Sequence, residues 1–266
     1  MSIENGDAAA PWGDRPIPAS GETQRLDIGP LTLWLRGLEN EVWLGFQRSG
    51  ETVIPSGDTP PEDLDWSRWA LSEAPHRLRL RPVLPDRPLV VKPEHPFTLL
   101  RRAKARVYMR VPAWVRVEAV EKERTKGATL MEIPTEILSD TWWGDFLTGE
   151  LGFWLTTKGR RELRDDLFEP HLVMCTLQLT NRSDDDLRVE KLSLRVEHLS
   201  TYEKDGRLWA EETNVFYLGE AEGSDIRMLD KPPVEAEGAR EISPARAQVK
   251  GLRARTFDRL RALSGW

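Results

Sequence analysis

Three carboxylates and three indoles crowd one stretch of this chain. Between Leu138 and Trp154 lie Asp140, Asp145 and Glu150, with Trp142, Trp143 and Trp154, three of the eleven tryptophans in 266 residues. Two carboxylates ~5–9 Å apart beside sugar-stacking aromatics are what acid–base glycoside hydrolysis requires. A non-catalytic ligand cleft uses the same aromatics without the acid pair. The plainer alternative is a tryptophan cluster that closes the core, with Asp beside Gly forming turns. These six residues are the candidate binding residues, and none is assigned a catalytic role.

Other chemistries find less support. The histidines are His76, His95, His171 and His198, and the single cysteine is Cys175; no HExxH or CxxC pattern occurs. His171 and Cys175 share a strand face, but four residues of strand span ~13 Å. Two ligands of one zinc must each lie ~2 Å from it, so one strand cannot bring both to the same ion. Cys175 on an apolar face reads as a small core residue. There is no Gly-x-Ser-x-Gly elbow, no P-loop and no Gly-x-Gly-x-x-Gly. No metal and no cofactor is expected.

The elements that must position the candidate residues are strands. From Glu150 the pattern has period two. Leu151, Phe153 and Leu155 share the face expected to be core; Glu150, Gly152, Trp154 and Thr156 share the face expected to line a cleft. A glycine inside a strand marks a close approach, here by a ligand or by Trp142 or Trp143 folding back. Val107, Met109, Val111, Ala113, Val115 and Val117 alternate without a break and predict one strand that buries every odd position, with Pro112 marking an edge or bend. Leu31 to Leu35 and Val42 to Phe46 predict a hairpin about Asn40, and Asp205-Gly206 predicts another. Alternation continues at Val173 to Leu179 and Leu192 to Val196. Pro82, Pro85, Pro88, Pro93 and Pro96 suit edges and turns rather than the middle of a sheet.

Two helices are predicted. Thr59 and Glu62 have capping-box spacing around Pro60, which points to a helix from Glu62 to Leu71 with Trp66 and Trp69 on one face. Ser243-Pro244 reads as the start of an amphipathic helix over 243–266, with Val249, Leu252, Phe257, Leu260 and Leu263 as its stripe. The segment 240–266 carries a net +5 in a chain of −6. Such a helix docks on its own acidic body, on an acidic partner or on an anionic membrane. The expected architecture is mostly β: a mobile tail over 1–22, two packed antiparallel β-sandwich-like lobes over 23–125 and 126–242, then the helix.

Composition narrows the class. Charged residues make up 31% of the chain and its net charge is −6, which argues against nucleic-acid binding. No apolar run approaches eighteen residues, so no membrane span is expected. No signal peptide is visible, and a single cysteine excludes an internal disulfide; both point to a cytoplasmic protein.

Several blocks carry a resemblance. They are Pro85–Glu94, Val107–Val117 with its Arg110-Val-Pro-Ala-Trp114 core, and Ile133–Asp145 followed by Gly149-Glu-Leu151. With Pro30–Trp34 and His198–Tyr202 they resemble an uncharacterised prokaryotic family, domain-of-unknown-function family 432, over about Leu26 to Leu263. Members often carry a cysteine after Gly-Glu-Leu, where this chain has Gly152. The family has no assigned activity or catalytic residues. Its members are often encoded beside small mechanosensitive channels, which implies a soluble accessory role at the inner face of a membrane, with a channel protein as partner. The expectation is thus a non-catalytic binding or regulatory module. Its rival is a carboxylate-dependent hydrolase or binding protein acting on carbohydrate.

Overall fold

Strand alternation dominates the sequence, and strands dominate the computed structural model, which describes residues 11–50, 57–71, 77–121, 126–249, 251–254 and 256–258. Among these residues, helical structure is limited to three single turns, Asp165–Leu167, Val196–His198 and Val234–Ala236. The chain divides into two compact units, Met1–Pro82 with Trp114–Glu136, and Val83–Ala113 with Ile137–Trp266. The expectation was a single division near residue 125; here residues 83–113 belong with the second unit instead.

The first unit is a β-sandwich. One sheet is an antiparallel meander of Thr23–Ile28, Leu31–Leu38, Glu41–Arg48 and Ser67–Ala70. The other runs in the order Gly13–Arg15, Arg77–Val83, Trp114–Val120 and Ala128–Pro134. Ile28, Leu31, Leu33, Leu35, Val42 and Leu44 from the first sheet meet Leu78, Leu80, Val115, Val117 and Ile133 from the second in one core. The predicted hairpin about Asn40 forms, with Leu38 opposite Glu41.

The predicted helix at Glu62–Leu71 does not form. A turn closes from Leu64 N–H to the Pro61 carbonyl, and Ser67–Ala70 becomes a strand on the edge of Glu41–Arg48. That edge offers backbone partners all along its length, which a short capped helix cannot match. Strand parity then separates the two indoles. Trp69 lies opposite Val42 and packs on the core, while the Trp66 ring meets that of Trp43 tilted, 6.2 Å between centroids, on the other face.

In the second unit the ten-residue strand Leu172–Asn181 is the centre of an eight-stranded sheet. Lys104–Pro112 pairs antiparallel along one side of it. Arg207–Ala210 and Thr213–Gly219 both pair parallel to it. The register slips by one residue between those two, and Glu211 and Glu212 occupy the slip. The alternation from Val107 to Val117 buries every odd side chain as predicted, but it is two strands. The chain breaks at Ala113, whose N–H donates to the His171 carbonyl, and Trp114–Val120 belongs to the first unit. Asp205 and Gly206, with φ of 52° and 73°, form the predicted tight turn between Thr201–Lys204 and Arg207–Ala210.

The same unit holds a five-stranded sheet in the order Ser139–Trp143, Glu150–Trp154, Leu89–Val91, Lys191–Leu194 and Phe257–Asp258. Glu150–Trp154 and Leu89–Val91 run parallel, so this unit is mixed rather than purely antiparallel. Leu89–Val91 is central even though Pro88 and Pro93 flank it. Three residues between prolines supply enough backbone for a short inner strand.

The C-terminal amphipathic helix is also absent from the described residues. Arg240–Ser243, Gly251–Ala254 and Phe257–Asp258 are strands instead, pairing with Thr201–Lys204, Gly223–Met228 and Lys191–Leu194. Of the apolar positions read as a helical stripe, Val249 is half-buried outside any strand, and Leu252 and Phe257 lie on strands. Leu252 lies opposite Ile226 and Phe257 opposite Leu192, and the Tyr217 ring meets Phe257 edge-on at 5.6 Å. Leu260 and Leu263 lie outside the described residues.

Candidate functional site

All six candidate residues fall on or beside one hairpin. Ser139–Trp143 pairs antiparallel with Glu150–Trp154, Trp143 lies opposite Glu150, and residues 144–149 form the loop. Ser139–Trp143 is the edge strand of its sheet. Directly opposed residues share a face. One face therefore holds Asp140, Trp142, Leu151 and Phe153, and the other holds Trp143, Glu150, Gly152 and Trp154.

Near the loop this departs from the expected assignment of the faces, while Leu155 is buried and Thr156 exposed as expected. Trp143 is buried, whereas Leu151, expected in the core, is 46% exposed beside Trp142 at 51%. At the loop, Phe146 and Leu147 are 90% and 88% exposed. Alternation alone set Leu151 with Leu155, but the strand outruns its cover before it reaches the loop. Leu155 is buried and Leu151 is not.

The loop is held by its own polar groups. The Asp145 carbonyl accepts the Gly149 N–H at 2.7 Å and the Trp142 Nε1–H at 3.0 Å. Trp142 therefore folds back over the loop, and it does not meet Gly152. What approaches Gly152 is backbone. A Cβ there would stand 2.6 Å from the Pro88 carbonyl oxygen, which accepts the Phe153 N–H at 2.9 Å.

Charges on the two faces have separate partners. Asp140 pairs with Arg87 at 3.2 Å, and the Arg87 guanidinium lies 5.1 Å from the Phe153 ring. On the opposite face both Glu150 carboxylate oxygens accept from the Arg195 guanidinium. Arg195 opens the turn Val196–His198. Burial pushes the Glu197 carboxyl up from its ordinary range. His198 Nε2 lies 3.7 Å from Glu197, and its Nδ1 lies 2.9 Å from the Ala247 carbonyl. Lys92 Nζ lies 5.4 Å from the Trp154 ring. Arg195, Glu197 and His198 escaped the sequence reading; the compact run Arg195-Val-Glu-His198 beside a strand was the available signal.

This geometry limits the chemistry. Asp140 and Glu150 point to opposite faces of one hairpin, so this pair cannot flank a single glycosidic bond. Each is also occupied by an arginine. Among the described residues no three His, Cys, Asp or Glu side chains are grouped to hold a metal ion. Cys175 is buried, and desolvation pushes its thiol up, away from the reactive thiolate. Among the described residues no helix is long and apolar enough to cross a membrane.

Fold and site together define a mostly β chain with an apolar-tipped edge hairpin. The chain belongs to the DUF432 family, described as a protein of unknown function, whose family model matches residues 11–261. No curated protein and no solved structure matches the chain.

Proposed function

We propose that this protein is a non-catalytic, cytoplasmic binding module that takes its partner on the hairpin Ser139–Trp154. The observation that carries this reading is the exposure of Trp142, Phe146, Leu147 and Leu151 on one hairpin. Large apolar side chains left in water add nothing to folding, yet each contributes ~1.5–3 kcal/mol once covered. Large apolar side chains exposed together on one hairpin are a mark of an interaction site. Asp140 and Asp145 border this surface. Trp143, Glu150 and Trp154 lie behind it and position the hairpin, Glu150 through Arg195. The partner in this reading is a membrane-channel protein, the role the family resemblance suggests.

The test is co-sedimentation with native-host membranes that contain or lack a small mechanosensitive channel. The wild type is expected to bind only channel-containing membranes. A Phe146→Ser, Leu147→Ser double variant is expected to stay in the supernatant. Equal sedimentation of wild type and variant would remove the hairpin from the function, and equal binding to both membranes would remove the channel.

A further inference from the structure

The chain that leaves the hairpin builds a second feature. Leu155 N–H donates to the Val90 carbonyl, Gly159 N–H to that of Lys92, and Glu94 N–H to that of Gly159, at 2.7–2.9 Å. On the other side Arg160 and Tyr108 exchange backbone hydrogen bonds at 2.8 and 2.9 Å. Gly159 is buried between these segments, and a Cβ there would stand 3.1 Å from Val107 Cγ1. The backbone at Gly159 and Arg160, where the arginine run begins, is therefore fixed from both sides. With Glu94, His95 and Glu162 these arginines line an open cleft of about 330 Å³.

Arg161 is oriented and unspent. Its Nε donates to the Arg106 carbonyl at 2.9 Å, and its guanidinium lies 4.8 Å from the Phe97 ring centroid. Among the described residues its two Nη groups have no hydrogen-bond partner, and neither does the His95 imidazole. Arg160 meets Glu94 at 3.4 Å and Arg164 meets Asp166 at 2.9 Å. The Arg160 pair is a single exposed contact and leaves guanidinium donors free, whereas Asp166 takes both Nε and Nη2 of Arg164 and leaves only its Nη1. The cleft lining itself carries three arginines against Glu94 and Glu162, a net +1 within a chain of net −6. A concave site of surplus positive charge concentrates anions, and a fixed guanidinium fork suits tetrahedral oxyanions. Guanidinium donors on more than one side chain of a cleft suit three phosphate oxygens better than the two of a carboxylate.

We propose that this cleft binds a phosphate monoester, with Arg161 as the fork and Arg160, Arg164 and His95 as flanking donors. The site is independent of the role given to the hairpin. The ester comes either from a soluble metabolite or from a lipid headgroup, and two probes separate these sources. One is glycerol 3-phosphate, titrated calorimetrically into the full chain at fixed ionic strength. The other is flotation with phosphatidylcholine vesicles that contain or lack phosphatidic acid. Binding of either probe is expected to weaken about tenfold or more in Arg161→Gln, as loss of a charge-assisted fork requires. Glu162→Gln, which removes an opposing carboxylate, is expected to tighten it. Arg188→Gln removes the same charge outside the cleft and is expected to leave binding unchanged. Arg164→Gln repeats the test should Arg161→Gln fold poorly. Glycerol 3-phosphate binding that follows this pattern identifies a soluble ligand; vesicle binding alone that follows it identifies a headgroup. Absence of both, or equal loss in Arg161→Gln and Arg188→Gln, overturns the proposal.

Discussion

Two hairpins of this chain obey opposite rules. In Leu31–Arg48, strands joined at Glu39-Asn40 turn Leu31, Leu33, Leu35, Val42 and Leu44 inward, and all five are fully buried. In Ser139–Trp154, strands joined by six residues leave Trp142, Phe146, Leu147 and Leu151 in water. The first places each apolar group where folding gains from it. The second holds a loop in order by polar contacts around the Asp145 carbonyl while its apolar groups point outward. A local departure from the burial rule that does not spread through the molecule is the signature of a surface kept for something else.

The largest expected effect breaks or keeps the first half of that comparison. Leu33→Ala, at a fully buried position facing the second sheet, should cost ~2–5 kcal/mol in chemical denaturation. A smaller loss would mean that the sandwich core is looser than its burial implies. Gly152→Ala tests how firmly the second hairpin is anchored. The added methyl meets the Pro88 carbonyl that accepts the Phe153 N–H, so a cost of ~1–3 kcal/mol is expected. An unchanged melting temperature would show that the hairpin shifts freely on its neighbour.

Much of the first hairpin was legible because one signal sufficed. Period-two leucines on both sides of a turn residue fix register and face together. The same signal misassigned Leu151, since periodicity tells which residues share a face but not where the cover over that face ends. Helix signals failed at Glu62–Leu71 and, among the described residues, between Ser243 and Asp258 for a related reason. Capping spacing and a stripe of apolar residues are local, whereas an unpaired sheet edge elsewhere in the chain decided the outcome. The candidate stretch itself was visible as a density of Trp, Gly and acid. Its ion-pair partners, Arg87 and Arg195, lie 53 and 45 residues away from Asp140 and Glu150, and no spacing rule reaches that far.

The two units should also differ in their response to pH. In the first, Asp14 lies between Arg77 and Arg79, and the hydrogen bond from Arg79 holds its carboxyl below the ordinary value of 3.8. A lowered folded pKa gives stability that is present above 3.8 and lost as pH falls through the folded value. In the second, burial at the strand slip holds the Glu211 carboxyl above its ordinary 4.5, although it accepts N–H groups from Ser200 and Asp230. A raised folded pKa gives stability that is full below 4.5 and lost as pH rises through the folded value. The penalty of Asp14→Asn should therefore shrink on acidification below pH 3.8, and that of Glu211→Gln should shrink as pH rises above 4.5. Urea titrations across pH read both, and parallel trends would erase the contrast.

The smallest expected effect bears most on function. Phe146 and Leu147 are almost as exposed folded as they would be unfolded, so neither gains transfer free energy from folding. Replacing both by serine should move stability by no more than about 0.5 kcal/mol, the range of substitutions that touch nothing. Trp142 is a poorer probe, because its Nε1–H closes the loop on the Asp145 carbonyl and its loss reshapes the hairpin. A melting temperature held by the double variant, together with lost association with channel-containing membranes, places the free energy of those two side chains in a complex. A fall approaching that of Leu33→Ala would instead mean that the loop packs within the folded chain. The two hairpins would then obey the same rule, and the exposed surface would carry no function.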